Sequence, residues 1–418
     1  MPDVRLPSAW ERTSLAGLAE YLNGFAFNES YWSAEGLPIV RIAQITGSQG
    51  IVDRYQGPLP DTYRLDDGDL IFSWSGTLAV VRWNGGPAWL NQHLFKVVPR
   101  HGIDRDLLFH LLQASVVEMN KRTHGSTMKH IKRGELREFS VSLPVDAAEQ
   151  RALAEILDTL DTTIRQTEAI IEKLKQVKQG LLHDLLTRGI DANGELRPPQ
   201  SQAPHLYKDS PLGWIPREWR CDALDDAVRI IDCKHITPTY VEQGYPVVRP
   251  RNVKVDGLDL VNVEFVTASD FAAMTDVHAP RRGDIVLSRN ASFGVPAFVD
   301  TDRPFAIGQD VIVMTRTLSN TRFLFYCLQS SLLSKQIDQR SAGSTFGRIN
   351  LSDIRALFVP SPDLSEQTAI ATRLRSVDER IESEEQGAAK LRTMKSGLMD
   401  DLLTGRVRVP HESEAAAE

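Results

Sequence analysis

The feature that most constrains this chain is that it is written twice. Glu149-Gln150 recurs as Glu366-Gln367, 217 residues further on, and that offset then holds without a gap for almost forty residues. Leu157 pairs with Leu374, Asp161 with Asp378, Ile164 with Ile381 and Lys173-Leu174 with Lys390-Leu391. The match closes on Asp184-Leu185-Leu186-Thr187 against Asp401-Leu402-Leu403-Thr404. Weaker echoes precede it at slightly different offsets, as loops of unequal length require. Pro38-Ile39-Val40-Arg41 resembles Pro246-Val247-Val248-Arg249, Gly68-Asp69-Leu70 answers Gly283-Asp284-Ile285, and Gly125-Ser126-Thr127 answers Gly343-Ser344-Thr345. A unit of roughly 210 residues used twice calls for two like halves, each a variable globular part followed by a near-constant helical part.

The constant part has the spacing of a long amphipathic helix. Leu153, Leu157, Leu160, Ile164, Thr167, Ile171, Leu174, Lys178, Leu181 and Leu185 fall at alternating four- and three-residue steps. The second copy reads Ile370, Leu374, Val377, Ile381, Glu384, Ala388, Leu391, Lys395, Leu398 and Leu402. This is a coiled-coil seam, broken by polar residues at the same two places in both copies, and such residues fix register at a cost in stability. A helix of about forty residues is roughly 60 Å long at 1.5 Å per residue. Its simplest partner is the other copy, so Leu157, Ile164, Leu174 and Leu181 are expected to pair with Leu374, Ile381, Leu391 and Leu398.

Each globular part alternates strand and helix signals. Strands are expected over 37–45, 70–74, 78–83 and 93–98, a helix over 106–119, and a closing strand over 137–143. The second copy places the helix over 323–333 and the closing strand over 354–359.

At 418 residues the chain has room for two to four structural units, and 42% hydrophobic residues suffice for cores. It contains no uninterrupted apolar stretch of membrane-spanning length, and its N-terminus lacks a basic start and apolar core, so a cytoplasmic protein is expected. Cys221, Cys233 and Cys327 are too few for a disulfide framework and lack zinc-site spacing. His235, two residues after Cys233, invites a metal reading, but without a second close pair ordinary reduced cysteines are the expectation, and no metal. The net charge is −7, which by itself disfavours a nucleic-acid partner. The charge is unevenly spread, however. From Asp363 to the end there are twelve acidic and eight basic residues, whereas 121–137 holds six basic residues against Glu135 alone.

Those basic residues lie in a Gly-Ser-Thr loop that recurs at the same place in both copies. In the first copy Lys121, Arg122, Ser126, Thr127, Lys129, Lys132 and Arg133 are the candidate DNA contacts; in the second they are Arg340, Ser344, Thr345 and Arg348. Lysine and arginine neutralise phosphates, and small hydroxyl residues position a backbone. Arg251, Asn252, Arg289 and Asn290 are further candidates, because Arg and Asn can address base edges with two hydrogen bonds.

These pieces together resemble the specificity subunit of type I restriction-modification systems over nearly the whole chain. The residues that carry the resemblance are Ile231-Asp232-Cys233-Lys234-His235-Ile236-Thr237-Pro238, Gly347-Arg348-Ile349-Asn350-Leu351, and Pro360 followed by Glu366-Gln367 and the helix ending Gly397-Leu398-Met399-Asp400-Asp401-Leu402-Leu403-Thr404-Gly405. The first half departs more, with Phe25-Ala26-Phe27-Asn28 where the second has the Asp-Cys-Lys-His run. The resemblance implies an α+β chain with two mixed α/β target-recognition domains in tandem, separated and joined by two long helices that pair as an antiparallel coiled coil. The expected boundaries are 1–145 and 216–361 for the domains, 146–188 and 362–405 for the helices, 189–215 for a linker and 406–418 for an acidic tail. It implies double-stranded DNA read as two half-sites, and docking of modification subunits, two in number. Those carry S-adenosylmethionine, and restriction subunits carry ATP and Mg; no cofactor is expected on this chain. Its own sequence shows no glycine-rich cofactor loop, no base-flipping Pro-Pro pocket and no phosphate-loop Gly-Lys-Ser/Thr, so no catalytic site is expected. An enzyme reading rests on Asp225…Asp232-x-Lys234 alone. A scaffold that ignores DNA is the other alternative.

Overall fold

The computed structural model describes residues 6–7, 9–48, 51–122, 131, 133–254, 257–290, 294–316, 319–341 and 349–409. It divides into two compact units, Met1–Glu168 with Gln386–Glu418, and Ala169–Glu385. The division does not follow the expected boundaries. Each unit takes one globular module, the half of the long helix attached to it, and half of the other long helix.

In the first unit an antiparallel sheet runs Ala19–Asn23, Leu94–Pro99, Leu70–Ser73, Ala79–Arg82 in spatial order. A second sheet orders Arg54–Tyr55, Leu37–Val40, Ala88–Leu90 and Arg64–Leu65, and its central pair is parallel, with Val40 opposite Leu90. Trp10–Ser14 pairs with Ser140–Pro144 and closes the module. The second unit repeats the plan. Its larger sheet is Val228–Asp232, Val311–Arg316, Ile285–Ser288, Pro296–Phe298, and Arg220–Ala223 pairs with Phe358–Ser361. Its smaller sheet again holds one parallel pair, Tyr245–Val248 with Ala306–Ile307. The runs Leu70-Ile71-Phe72-Ser73 and Ile285-Val286-Leu287-Ser288 are buried throughout, as central strands covered on both faces must be.

Four elements differ from expectation. Residues Ile42–Thr46 are a helical turn, because the Gln44 side chain accepts from the Arg41 N–H and Gly47 at φ 72° ends it. Arg133–Arg137 is a 3-10 turn, and the closing strand begins at Ser140. The helix expected over 323–333 is two, Thr321–Gln329 and Ser331–Ser341, broken where the Ser330 hydroxyl donates to the Cys327 carbonyl. Leu351–Arg355 is helical, so the last strand starts only at Phe358.

The long helices are Ala147–Thr187 and Leu364–Leu402. Asp146 and Asp363 sit just before them and accept from the first free backbone N–H groups, Ala148 and Glu149 in one case, Glu366 in the other. All twenty seam positions are buried or half-buried. Leu153 and Leu157 join Leu402 and Leu403 in the first unit's core; Leu182 and Leu185 join Ile370 and Leu374 in the second's. The pairing is antiparallel within each unit: Asp161 meets Lys395 where Glu168 meets Arg392, and Lys178 meets Asp378 where Lys175 meets Glu385.

The polar interruptions of the seam have separate fates. Thr167 bonds back to the Thr163 carbonyl and Glu384 to Arg380, each on its own helix. The two lysines cross to the opposite helix. Lys395 lies 2.6 Å from Asp161 and also donates to Gln113; Lys178 lies 2.6 Å from Asp378 and over the Tyr326 ring. The 217-residue offset turns one Lys–Asp pair into the other. Each aspartate also faces the module: Tyr326 donates to Asp378 at 2.8 Å, and His110 lies 2.8 Å from Asp158 and 4.0 Å from Asp161.

His110 is fully buried, and burial holds its pKa below the ordinary imidazole value even though Asp158 pulls the other way. Arg82, Asp158, Asp161 and Lys395 surround it. The unfolded chain therefore takes up a proton near pH 6.5 that the folded unit resists, so stability is present above that value and lost as pH falls through it. His110→Gln is expected to flatten the pH dependence of Tm between about pH 7.5 and 5.5. An unchanged slope would remove His110 from that role.

The repeated Glu-Gln dipeptide stands at the start of each long helix and fastens it to its module. Glu149 accepts from the Trp10 indole and from Arg408; Glu366 accepts from the Trp219 indole and from Arg197. Gln150 accepts from the Asp104 N–H and donates to the Pro144 carbonyl, while Gln367 accepts from the Asn320 N–H and donates to Pro362. Arg408 and Arg197 each follow the opposite long helix. The segment expected as a linker is thus built into the second unit, with an Ile190–Leu196 bridge and a Tyr207–Lys208/Ile215–Pro216 hairpin. Gly189, at φ 64°, ends the first helix where any Cβ would stand 2.3 Å from both Glu366 and Trp219. No described helix is long and apolar enough to cross a membrane.

Candidate nucleic-acid interface

In the second unit the smaller sheet ends beside a polar cleft of about 400 Å³. Its walls bring Lys234 and Tyr240, from the segment after the strand Val228–Asp232, against Arg249, Asn290 and Gln309. The Arg249 guanidinium lies over the Tyr240 ring at 5.0 Å and pairs with Glu264 at 2.8 Å; Lys234 pairs with Asp276. Half-exposed cations beside an aromatic face, with side-chain amides, are the side-chain types that bind a phosphate backbone and address bases. In the first unit the corresponding sheet carries aromatic rings instead. Phe25, Phe27, Tyr31, Tyr55 and Tyr63 meet edge to face at 4.9–5.9 Å, and Arg41 lies over the Trp32 ring. The Phe-Ala-Phe-Asn departure of the first half is therefore a packed aromatic cluster.

The expected DNA-contacting residues are placed unevenly. Lys121 and Arg122 end the helix Arg105–Arg122. Ser126, Thr127, Lys129, Lys132, Ser344, Thr345 and Arg348 lie outside the described residues. Arg133 is exposed but donates to the Tyr21 carbonyl, and Arg340 is exposed and donates to the Ala356 carbonyl. Arg251 stands open, its side chain 60% accessible with Glu264 at 3.6 Å.

Two candidates are committed inside the fold, correcting the expectation. Asn252 is buried; its Oδ1 accepts from the Arg249 N–H and its Nδ2 donates to the Asn262 carbonyl, closing a 3-10 turn. Arg289 is buried and pairs with Asp232 at 3.2 Å, because a buried guanidinium needs a counter-charge. Neither offers a free group to DNA in this conformation. Asn290 lines the cleft and donates to Asp310.

The acid pattern that suggested a nuclease is dispersed. Asp225 pairs with Arg355, Asp232 with Arg289 and Lys234 with Asp276. Cys233 is buried, where burial raises its thiol pKa, whereas His235 is exposed. One group with metal-ligand spacing occurs among the described residues, His110, Asp158 and Asp161. Arg82 at 2.8 Å from Asp158 and Lys395 at 2.6 Å from Asp161 already neutralise its carboxylates, so it reads as an ion network.

Comparison with known proteins agrees with this architecture. A family model described as the type I restriction modification DNA specificity domain matches residues 7–176 and again 217–393. The chain is 24% identical to the MjaVIII type I restriction enzyme specificity subunit of Methanocaldococcus jannaschii, covering 98% of this chain and 95% of that one. It is likewise 24% identical to the EcoBI specificity subunit of Escherichia coli, over 89% and 80% of the two chains. Its fold is shared with the S subunit of a type I restriction-modification system from M. genitalium, at a TM-score of 0.60 and 15% identity, covering 96% and 99% of the two chains. The two matched segments coincide with the two copies of the repeat, each running from its module into its long helix. The chain therefore belongs to the type I restriction-modification DNA specificity family.

Proposed function

We propose that this chain binds a split DNA target, one half-site per module, and has no catalytic activity of its own. The observation that carries this reading is the repeat: two modules whose larger sheets share one strand order and whose smaller sheets each hold one parallel pair, each fastened to a long helix by the same Trp–Glu–Arg and Gln contacts. Smaller sheets that differ, packed with aromatic rings in one module and beside a cleft with cations in the other, support half-sites of different sequence. The helices act as a spacer and as the docking surface for two modification subunits, which supply S-adenosylmethionine and methylate the DNA. Restriction subunits, with ATP and Mg, join through the assembled complex, in the cytoplasm.

The test is to map methylated bases in a host carrying this chain with its modification subunit. Two unlike short motifs at a fixed gap are expected, and they should vanish when this gene alone is deleted. One contiguous motif would mean that a single module reads DNA. Methylation that persists after the deletion would favour a scaffold.

A further inference from the structure

Each module carries one glutamine in a turn that the repeat preserves while its neighbours change. Leu90-Asn91-Gln92-His93-Leu94 and Ile307-Gly308-Gln309-Asp310-Val311 align at the 217-residue offset, with the glutamine and the bracketing apolar residues retained in kind. Both turns leave the parallel strand pair of the smaller sheet, and both are anchored by the residue before the glutamine. The Asn91 N–H donates to the Val40 carbonyl and the Gly308 N–H to the Val248 carbonyl. The Gln92 N–H is further held by the Phe25 carbonyl at 2.9 Å.

The backbone is fixed, yet neither side-chain amide is used by the fold. The Gln92 Oε1 is buried without a hydrogen-bond partner, out of reach of a duplex. Gln309 is exposed, makes no hydrogen bond among the described residues, and stands in the cleft between Lys234, Tyr240 and Arg249. The residue after it, Asp310, has φ 63°, the one positive value among described non-glycine residues. Asn290 donates to its carboxylate at 3.1 Å, and its carbonyl accepts from the Arg289 N–H at 2.8 Å. A strained turn held this firmly aims the preceding side chain, and backbone strain of this kind clusters at ligand-contacting positions.

We propose that Gln309 is a base-reading side chain of the second module, placing its amide on the N6/N7 edge of an adenine. A glutamine amide offers one donor and one acceptor side by side, the complement of that edge. In the second module Lys234 and Arg249 stand where they can meet the flanking phosphates. If Gln309 only shaped the turn, its amide would be bonded to it; the main chain and Asp310 do that work instead.

This inference rests on the DNA-reading function proposed above, and its test separates the two. The full chain, assembled with its modification subunit, is used to select from a randomised duplex library, alongside a Gln309→Ala assembly. The parent should select a bipartite motif. Gln309→Ala should lose about ten- to hundredfold preference at one A·T pair of one half-site. Gln309 is exposed, so the melting temperature of that variant should not move. An unchanged motif, or weakening spread evenly over all sequences as for a phosphate contact, would overturn the assignment. A parent that selects no motif would overturn the DNA-reading function instead.

Discussion

Trp219→Ala is expected to cost the second unit about 3–5 kcal/mol of unfolding free energy, the range for truncating a fully buried large aromatic side chain. For a unit of this size that lowers its thermal midpoint by roughly 6–20 °C. Trp219 is 1% exposed and heads the fully buried side chains by volume. It is also the donor to Glu366 at 2.9 Å, so its removal leaves a partly buried carboxylate with Arg197 as its remaining side-chain partner. Trp219→Phe keeps most of the apolar area and loses the hydrogen bond, and should cost about 1–2 kcal/mol. Calorimetry resolves the outcome, because the first unit has its own tryptophan, Trp10, bonded to Glu149. A loss below about 1 kcal/mol for the alanine variant would mean that the site collapses around the gap.

The second large effect concerns the seam lysines. Lys395→Met removes the counter-charge of Asp161 and the donor to Gln113, and should cost about 2–3 kcal/mol, discounted from the fully buried case because both side chains keep some solvent. Adding Asp161→Leu should restore most of that, since an apolar pair of similar volume is often neutral where an ion pair was buried. The coupling read from this double-mutant cycle is expected at about 1–3 kcal/mol. Strict additivity would show that the pair contributes no more than two solvated surface charges. Lys178→Met with Asp378→Leu should behave alike, because the repeat maps one pair onto the other.

Periodicity carried far into this fold. The seam Leu153 to Leu185 and its copy Ile370 to Leu402 are buried or half-buried at every position. This follows because burial of an apolar stripe is a property of spacing along one helix. The strands 70–73, 79–82 and 94–99 were likewise legible as short apolar runs between turn residues. The helical turn Ile42–Thr46 was not, since five residues give too little periodicity to separate helix from strand. The candidate site was legible only in part. Arg251 stands in the open, but Arg289 and Asn252 look the same in sequence and are spent on Asp232 and on a turn. A side chain's type says which contacts it can make, not whether the fold has already made them.

By itself, then, the sequence determined that there are two modules, that each continues into a long helix, and that the two seams match, because these depend on repetition and spacing along one chain. The tertiary structure alone decided how the halves are assembled. Glu149 and Glu366 each bind an arginine from the segment beyond the opposite long helix, and Lys178 and Lys395 each find their aspartate on the opposite helix. These partners lie between 169 and 259 residues apart, and no local pattern of charge or hydropathy specifies which distant carboxylate will offset the desolvation of a given lysine or arginine.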